Sequence, residues 1–339
     1  MIRPLFALCL LVTACGGRPS AAGAPPAPST LDVASLIGPL AADSMAGRGT
    51  ATSGGDRAAT FIAARMREYG LVPAGDSGWF QRVPLAASTG PDGARRLALV
   101  TAAAAPAATT RGLNVVGLVR GTDPELRDEA VLIDAHYDHL GVGAPLNGDS
   151  IYNGADDDAS GIVAVLGAAH ALASGPPPRR TAIFLATTGE ELGLLGTLWY
   201  IAHPVVPLER TVANLEIEMV GRPDSLAGGA GRGWLTGFER STMGERLAAA
   251  GIPIVADPRP DQRFFERSDN IAFALRGVPA HTLSSYNLHA DYHPDDEVER
   301  VDVAHLARLV DATARAARLL ADGEAPVWKP GGRPVPPQP

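Results

Sequence analysis

The chain has 339 residues, room for one large α/β domain or two modest ones. Hydrophobic residues make up 46% and charged residues 19%, which excludes an intrinsically disordered interactor. A net charge of -8 and the lack of a basic stripe exclude nucleic acid as a partner.

In chain order, the N-terminus reads MIRPLFALCLLVTAC, with both cysteines, Cys9 and Cys15, inside it. Residues 1–14 are expected to be a signal peptide. Arg3 gives a positive n-region and residues 5–12 an apolar stretch too short to span a bilayer. Residues 12–15, VTAC, resemble a bacterial lipobox, in which a cysteine becomes the acylated mature N-terminus. On that reading Cys9 is removed and Cys15 carries lipid, so any zinc site must use His, Asp and Glu. An ordinary signal peptide cleaved nearby is the alternative. Both put the protein outside the cytoplasm, in the cell envelope or secreted. Residues 15–30 are rich in Pro, Ala and Gly and read as a flexible tether.

The fold is expected over residues 31–323. Leu36, Ile37 and Leu40 suggest a first short helix. Ala59, Ile62, Ala63, Met66 and Tyr69 recur at helical spacing and end at Gly70. Residues 80–85 and 96–101 read as strands of a hairpin, and residues 101–110 as a loop interrupted by Pro106. Buried strands are expected at 114–119, 130–135, 181–186, 212–219 and 280–283, with a further strand at 233–236. Helices are expected at 159–174, 192–202, 241–250, 268–275 and 301–321. The tail, 324–339, is Pro-rich and expected to be unstructured or draped on the surface. Apolar strands alternating with helices predict an α/β fold: a mostly parallel, mixed sheet sandwiched between helices, in a single domain. Ligands of such sheets bind beyond the carboxyl ends of the strands.

The polar clusters all follow predicted strands. His136-Tyr137-Asp138 follows an apolar run, and Asp138, two residues on, can bond the far nitrogen of His136 and fix its tautomer. His139 should turn away from His136. Asp156-Asp157-Asp158 is a run of carboxylates that repel unless cations or helix amides offset them. An EF-hand is excluded by the missing alternate-residue spacing. Side chains of Glu190 and Glu191 diverge, so one can bind metal while the other takes a proton from water that the metal acidifies. Glu216 and Glu218 are acids in an apolar strand, costly unless paired or coordinated. Glu218 is nearer the strand's end. His289 and His293 lie in a His- and Asp-rich loop before the last helix, and either could be a ligand.

Taken in order, HYD, GADDDASG, GEE, an acid before MVG and a late YH resemble the co-catalytic zinc aminopeptidases of the bacterial and leucyl type. Relatives of these include glutamate carboxypeptidase and glutaminyl cyclase. The resemblance begins at LAADSMAGRGTATSGGDRAA and covers most of the mature chain. It implies a zinc exopeptidase-like catalytic domain with two zinc ions. His136 and Glu218 would be ligands of one ion, Glu191 and His293 of the other, and Asp157 the bridge between them. It makes Glu190 the general base and Asp138 the residue that orients His136. Ser268-Asp269 would lie near the substrate pocket. Two departures stand out. Glu218 replaces the family's usual aspartate, and the loop after His293 is about one residue short, which leaves His289 as a fallback ligand.

The expected function is a membrane-anchored, lipid-bearing metallopeptidase, an aminopeptidase acting on peptide substrates. The acidic surroundings of the site suit a free N-terminal ammonium. A metallo-carboxypeptidase would need a pocket arginine, for which Arg222, Arg259, Arg263 and Arg267 are candidates. A glutaminyl cyclase or a non-catalytic binding lipoprotein are further alternatives.

Overall fold

The computed structural model describes residues 31–91, 95–100, 109–285 and 293–335. Near the N-terminus lie α1 (Ala34–Leu40) and α2 (Ser53–Glu68), the latter opened by Thr52, whose hydroxyl accepts the Gly55 N–H. A left-handed Gly70 follows α2. Next come β1 (Val72–Pro73), β2 (Phe80–Thr89), β3 (Arg95–Leu99), β4 (Thr109–Val119) and β5 (Ala130–His136). A small hairpin, β6 (Gly141–Leu146) and β7 (Asp149–Tyr152), precedes α3 (Gly161–Ser174), β8 (Thr181–Thr187) and α4 (Leu195–Ala202). The chain continues through β9 (Thr211–Ile217), β10 (Gly233–Leu235), α5 (Met243–Ala249) and β11 (Ile254–Ala256). It closes with α6 (Asn270–Arg276), β12 (Ala280–Ser284) and α7 (Val303–Asp322).

Ten strands form one mixed sheet in the order β11-β10-β12-β9-β5-β8-β4-β2-β3, with β1 paired to β4. Its centre, β12-β9-β5-β8, is parallel, and the flanking β4, β2 and β3 run antiparallel. Alternation along β5 explains why both faces are covered. Val131, Ile133 and Ala135 pack with α1, α2, α3 and α7, whereas Ala130 and Leu132 pack with α4 and α6. Every residue of β5 and of β8 is buried, which is why these strands read as unbroken apolar runs. Each fully buried Leu, Ile or Phe there stabilises the fold by about 1.5–3 kcal/mol.

The structure adds to these expectations and amends some of them. The loop after residue 139 contains the β6–β7 hairpin. The helix expected from residue 192 begins at Leu195, because a turn intervenes with Leu194 in the left-handed region. Residues 101–108 lie outside the described residues, and Thr109 and Thr110 already belong to β4. The start of the tail takes the second of its two expected forms and lies against the domain: Trp328 Nε1 donates to the Gly277 carbonyl at 2.9 Å, and Thr242 N–H donates to Val327 O at 2.9 Å. Among the described residues no helix is long and apolar enough to cross a membrane.

Candidate active site

Because β5, β8, β9 and β12 are parallel, their carboxyl ends open on one edge of the sheet. His136 is the last residue of β5, Glu190-Glu191 follows β8, and Glu218 follows β9. The irregular turn over Ala155–Ser160, before α3, brings Asp157 into the same space.

Two groups of metal-capable side chains result, and they share Asp157. His136, Asp157 and Glu218 form one; His139, Asp157 and Glu191 form the other. In each, the candidate ligand atoms lie within 4.8 Å of one another. His136 Nε2 stands 3.3 Å from Asp157 Oδ1, and His139 Nδ1 stands 3.8 Å from Asp157 Oδ2 and 2.7 Å from Glu191 Oε1. The donor set fits a pair of divalent ions. His136 Nε2 is buried with no hydrogen-bond partner among the described residues. Burial above all, with Glu218, Asp269 and Glu191 nearby, holds the Glu190 carboxyl well above its usual pKa despite His136. Burial and then Glu216 do the same to Glu218. Crowded acids of this kind are relieved by cations.

The histidine of the second group differs from expectation. His293 is exposed and is not brought into either group, and His289 lies outside the described residues. His139, expected to turn away from His136, instead lies against the same aspartate, because the bend after β5 carries it round to Glu191 and Asp157. The role of Asp138 also shifts. His136 Nδ1 bonds the backbone carbonyl of Asp138 at 3.1 Å, while the Asp138 carboxylate lies 3.9 Å away. That carboxylate instead accepts the Thr50 hydroxyl at 2.7 Å and the Glu190 N–H at 3.2 Å, tying the β5 loop to the β8 loop.

The other acids are held by the backbone. Asp158 Oδ1 accepts the N–H groups of Gly161 and Met219 at 3.0 and 2.9 Å, and Asp156 Oδ1 accepts the Gly221 N–H at 2.7 Å. Glu216 is fully buried and accepts the N–H groups of Asp269 and Asn270 at 3.0 Å each, plus hydroxyls of Ser268 and Thr282. It caps α6 from below. Ser268 and Asp269, expected beside the substrate, are buried in this network, Asp269 also accepting the Thr187 hydroxyl at 2.7 Å. Neither lines the cavity over the site.

That cavity is partly open to solvent. Asp157, Glu190 and Glu218 lie at its floor, and Met219, Trp234, Phe264 and Arg267 form much of its wall. Of the four arginines considered from sequence, three are engaged elsewhere: Arg222 with Asp296, Arg259 with Asp224, Arg263 with Glu266. Arg267 alone of them lines the cavity.

One residue escaped the sequence reading. Arg48 is fully buried, and its guanidinium donates to the carbonyls of Tyr137 and Gly154 at 2.7 Å each, Leu40 at 2.9 Å and Asp157 at 3.4 Å, and to Asn153. It joins the loop after His136 to the turn that carries Asp157. An arginine within the Gly-rich stretch MAGRGT was its only signal.

A mixed sheet, parallel at its centre rather than mostly parallel as expected, whose carboxyl edge gathers two histidine–carboxylate groups around one shared aspartate, defines a metal-binding α/β protein of the hydrolase type. The chain belongs to peptidase family M28, whose sequence model matches residues 114–317. In fold it is similar to BSAP, a zinc aminopeptidase from Bacillus subtilis, at 17% identity and a TM-score of 0.61 over 86% of this chain and 95% of that one. It is likewise similar to the aminopeptidase from Aneurinibacillus sp. strain AM-1, at 16% identity and a TM-score of 0.60 over 91% and 96% of the two chains. In sequence it is 30% identical over 172 residues to the probable leucine aminopeptidase 2 of Aspergillus oryzae, covering 49% of this chain and 32% of that protein. It is 34% identical over 129 residues to a vacuolar membrane protease of Candida tropicalis, covering 38% of this chain and 13% of that protein. The chain therefore matches less than a third of the length of either relative.

Proposed function

We propose that the protein is a zinc-dependent aminopeptidase that holds two ions and removes N-terminal residues from peptides. The observation that carries this reading is the sharing of Asp157 between two groups of candidate ligands. His136 and Glu218 would hold one ion, Glu191 and a histidine the other, with Asp157 between them. When bound, the ions supply Lewis acidity that polarises a carbonyl and acidifies water. Glu190 lies at the cavity floor beside both groups, and its elevated pKa suits a group that takes a proton and gives it up again. Its carboxylate would accept the proton of the attacking water and deliver it to the leaving amine. Asp138 holds the Glu190 backbone in register for this.

The second histidine is His139 by position and His293 by resemblance. Metal analysis joined to a peptidase assay tests both questions. Wild type is expected to bind two zinc ions per chain and cleave free-amine peptides. Glu190→Gln is expected to keep the metal and lose activity by at least about 100-fold. Whichever of His139→Ala and His293→Ala drops the stoichiometry to one ion identifies the ligand. A wild type without divalent metal, or full cleavage of N-acetylated peptides, defeats the proposal.

The chain is further proposed to be a lipoprotein held at the cell envelope by acyl groups on Cys15. The VTAC sequence supports this, and Cys15 lies outside the described residues. Cys15→Ser should move the protein from the membrane fraction to the soluble one. Unchanged partition argues against the anchor.

A further inference from the structure

The cavity above the candidate metal site has walls of two kinds. Trp234 and Phe264 are buried, with ring centroids 5.2 Å apart, and with Met219 they make an apolar sleeve. Above the carboxylates of the floor, its wall carries the hydrogen-bond donors of Thr236 and Arg267. Thr236 Oγ1 accepts the Thr282 N–H at 2.9 Å, which leaves its own hydroxyl hydrogen to donate. Trp234 Nε1–H is buried without a hydrogen-bond partner among the described residues. The Arg267 guanidinium rests over the Phe264 ring, 4.9 Å from its centroid, and makes no ion pair among the described residues. Thr282 is the contrasting case, since its hydroxyl already donates to Glu216 at 2.6 Å. Stacking on Phe264 restrains Arg267 without an acid partner, so its charge is available to whatever fills the sleeve.

Donors along an apolar sleeve, with a restrained cation, match a side chain of methylenes ending in an anionic acceptor. We propose that this cavity receives the side chain of the substrate's N-terminal residue and selects an acidic one, glutamate or aspartate. The inference rests on the aminopeptidase reading and adds the substrate class. The Arg267 guanidinium and the Thr236 hydroxyl would meet the side-chain carboxylate, while the Trp234 ring packs on the methylenes and the substrate's backbone lies over Glu190. The same cation disfavours a lysine or arginine side chain in the sleeve by like-charge repulsion.

The test compares kcat/KM of the zinc-loaded protein on aminoacyl-coumarin substrates carrying Glu, Gln, Leu or Lys. Glu is expected to lead, exceeding Lys by at least about tenfold. Arg267→Gln is expected to lower the Glu value by about tenfold or more and to leave Leu within about threefold, with Arg267→Lys restoring part of the Glu activity. Arg267 is exposed and outside the core, and a melting curve checks that the variants fold. A second readout is independent of turnover: free glutamate should change the fluorescence of wild type more than of Trp234→Phe, and free lysine should not. Preference for Leu or Lys, or an equal loss on every substrate in Arg267→Gln, overturns the specificity proposal alone. Cleavage of N-acetylated peptides at a C-terminal glutamate, with no cleavage of free-amine substrates, overturns the aminopeptidase reading and this inference with it.

Discussion

The guanidinium of Arg48 satisfies carbonyls on both loops that carry candidate ligands, so its removal frees His136 and Asp157 together. A lysine in its place offers one compact charge where a planar fork now reaches several acceptors. Arg48→Lys is therefore expected to weaken metal binding by roughly 10–100-fold, the range found when groups that orient ligands are lost. Isothermal titration with zinc measures this. Unchanged affinity with only a lower melting temperature would reduce Arg48 to a structural role. Residues with a chemical signature were legible from sequence, such as His136 before Asp138 or Asp157 within an acidic run. Arg48 was not, because its partners are backbone carbonyls from sites up to 109 residues away, which no side-chain pattern encodes.

At the scale of elements, α3, which follows the turn that carries Asp157, packs close against α7. Gly167 permits this: a Cβ there would meet Val310 Cγ1 at 2.3 Å. Gly167→Val is expected to destabilise the protein by about 1–3 kcal/mol through overpacking, read as a lower denaturant midpoint with an unchanged slope. Retention of wild-type stability would mean that the helices separate freely. The central strands were legible because burial on both faces demands continuous apolar sequence. The β6–β7 hairpin was missed because β6 is largely exposed and Gly-containing and β7 is short and only part-buried. Its signal was Asn147-Gly148, both in the left-handed region, as a two-residue hairpin turn requires.

At the scale of the whole molecule, one buried histidine on β12, next to the cavity-lining Thr282, is expected to make stability depend on pH. His281 is fully buried, its Nδ1–H donating to the Thr236 carbonyl at 2.8 Å and its Nε2 accepting from the Ser241 hydroxyl at 2.7 Å. Phe265 and Trp328 also pack against it. Burial first, with Arg240 adding to it, lowers its pKa to about 4. The unfolded chain binds this proton near pH 6.5 and the folded one near 4, so the unfolded state gains protons first as pH falls. The contribution of neutral His281 is fully present above about pH 6.5 and is lost between there and pH 4, by roughly 3 kcal/mol at most. His281→Asn, which keeps a donor for Thr236, should flatten the stability curve over that window, measured by denaturation at several pH values. An unchanged slope would assign the acid sensitivity to other groups.

Sequence alone determined the α/β class, the sheet's parallel centre and the strand ends on which the acids and His136 sit. Those features follow from local periodicity, because a strand buried on both faces leaves its polar residues only at its end. Tertiary structure decided what local patterns do not carry. It brought His139 rather than His293 beside Glu191, turned the Asp138 carboxylate towards Glu190, and buried Ser268 and Asp269 against Glu216. It also separated Arg267, alone in the cavity wall, from three arginines paired elsewhere. The reason is physical: hydrogen-bond partners and charge neighbours are chosen by where loops meet in space, and the loops that meet here are separated by 50 to 140 residues of chain.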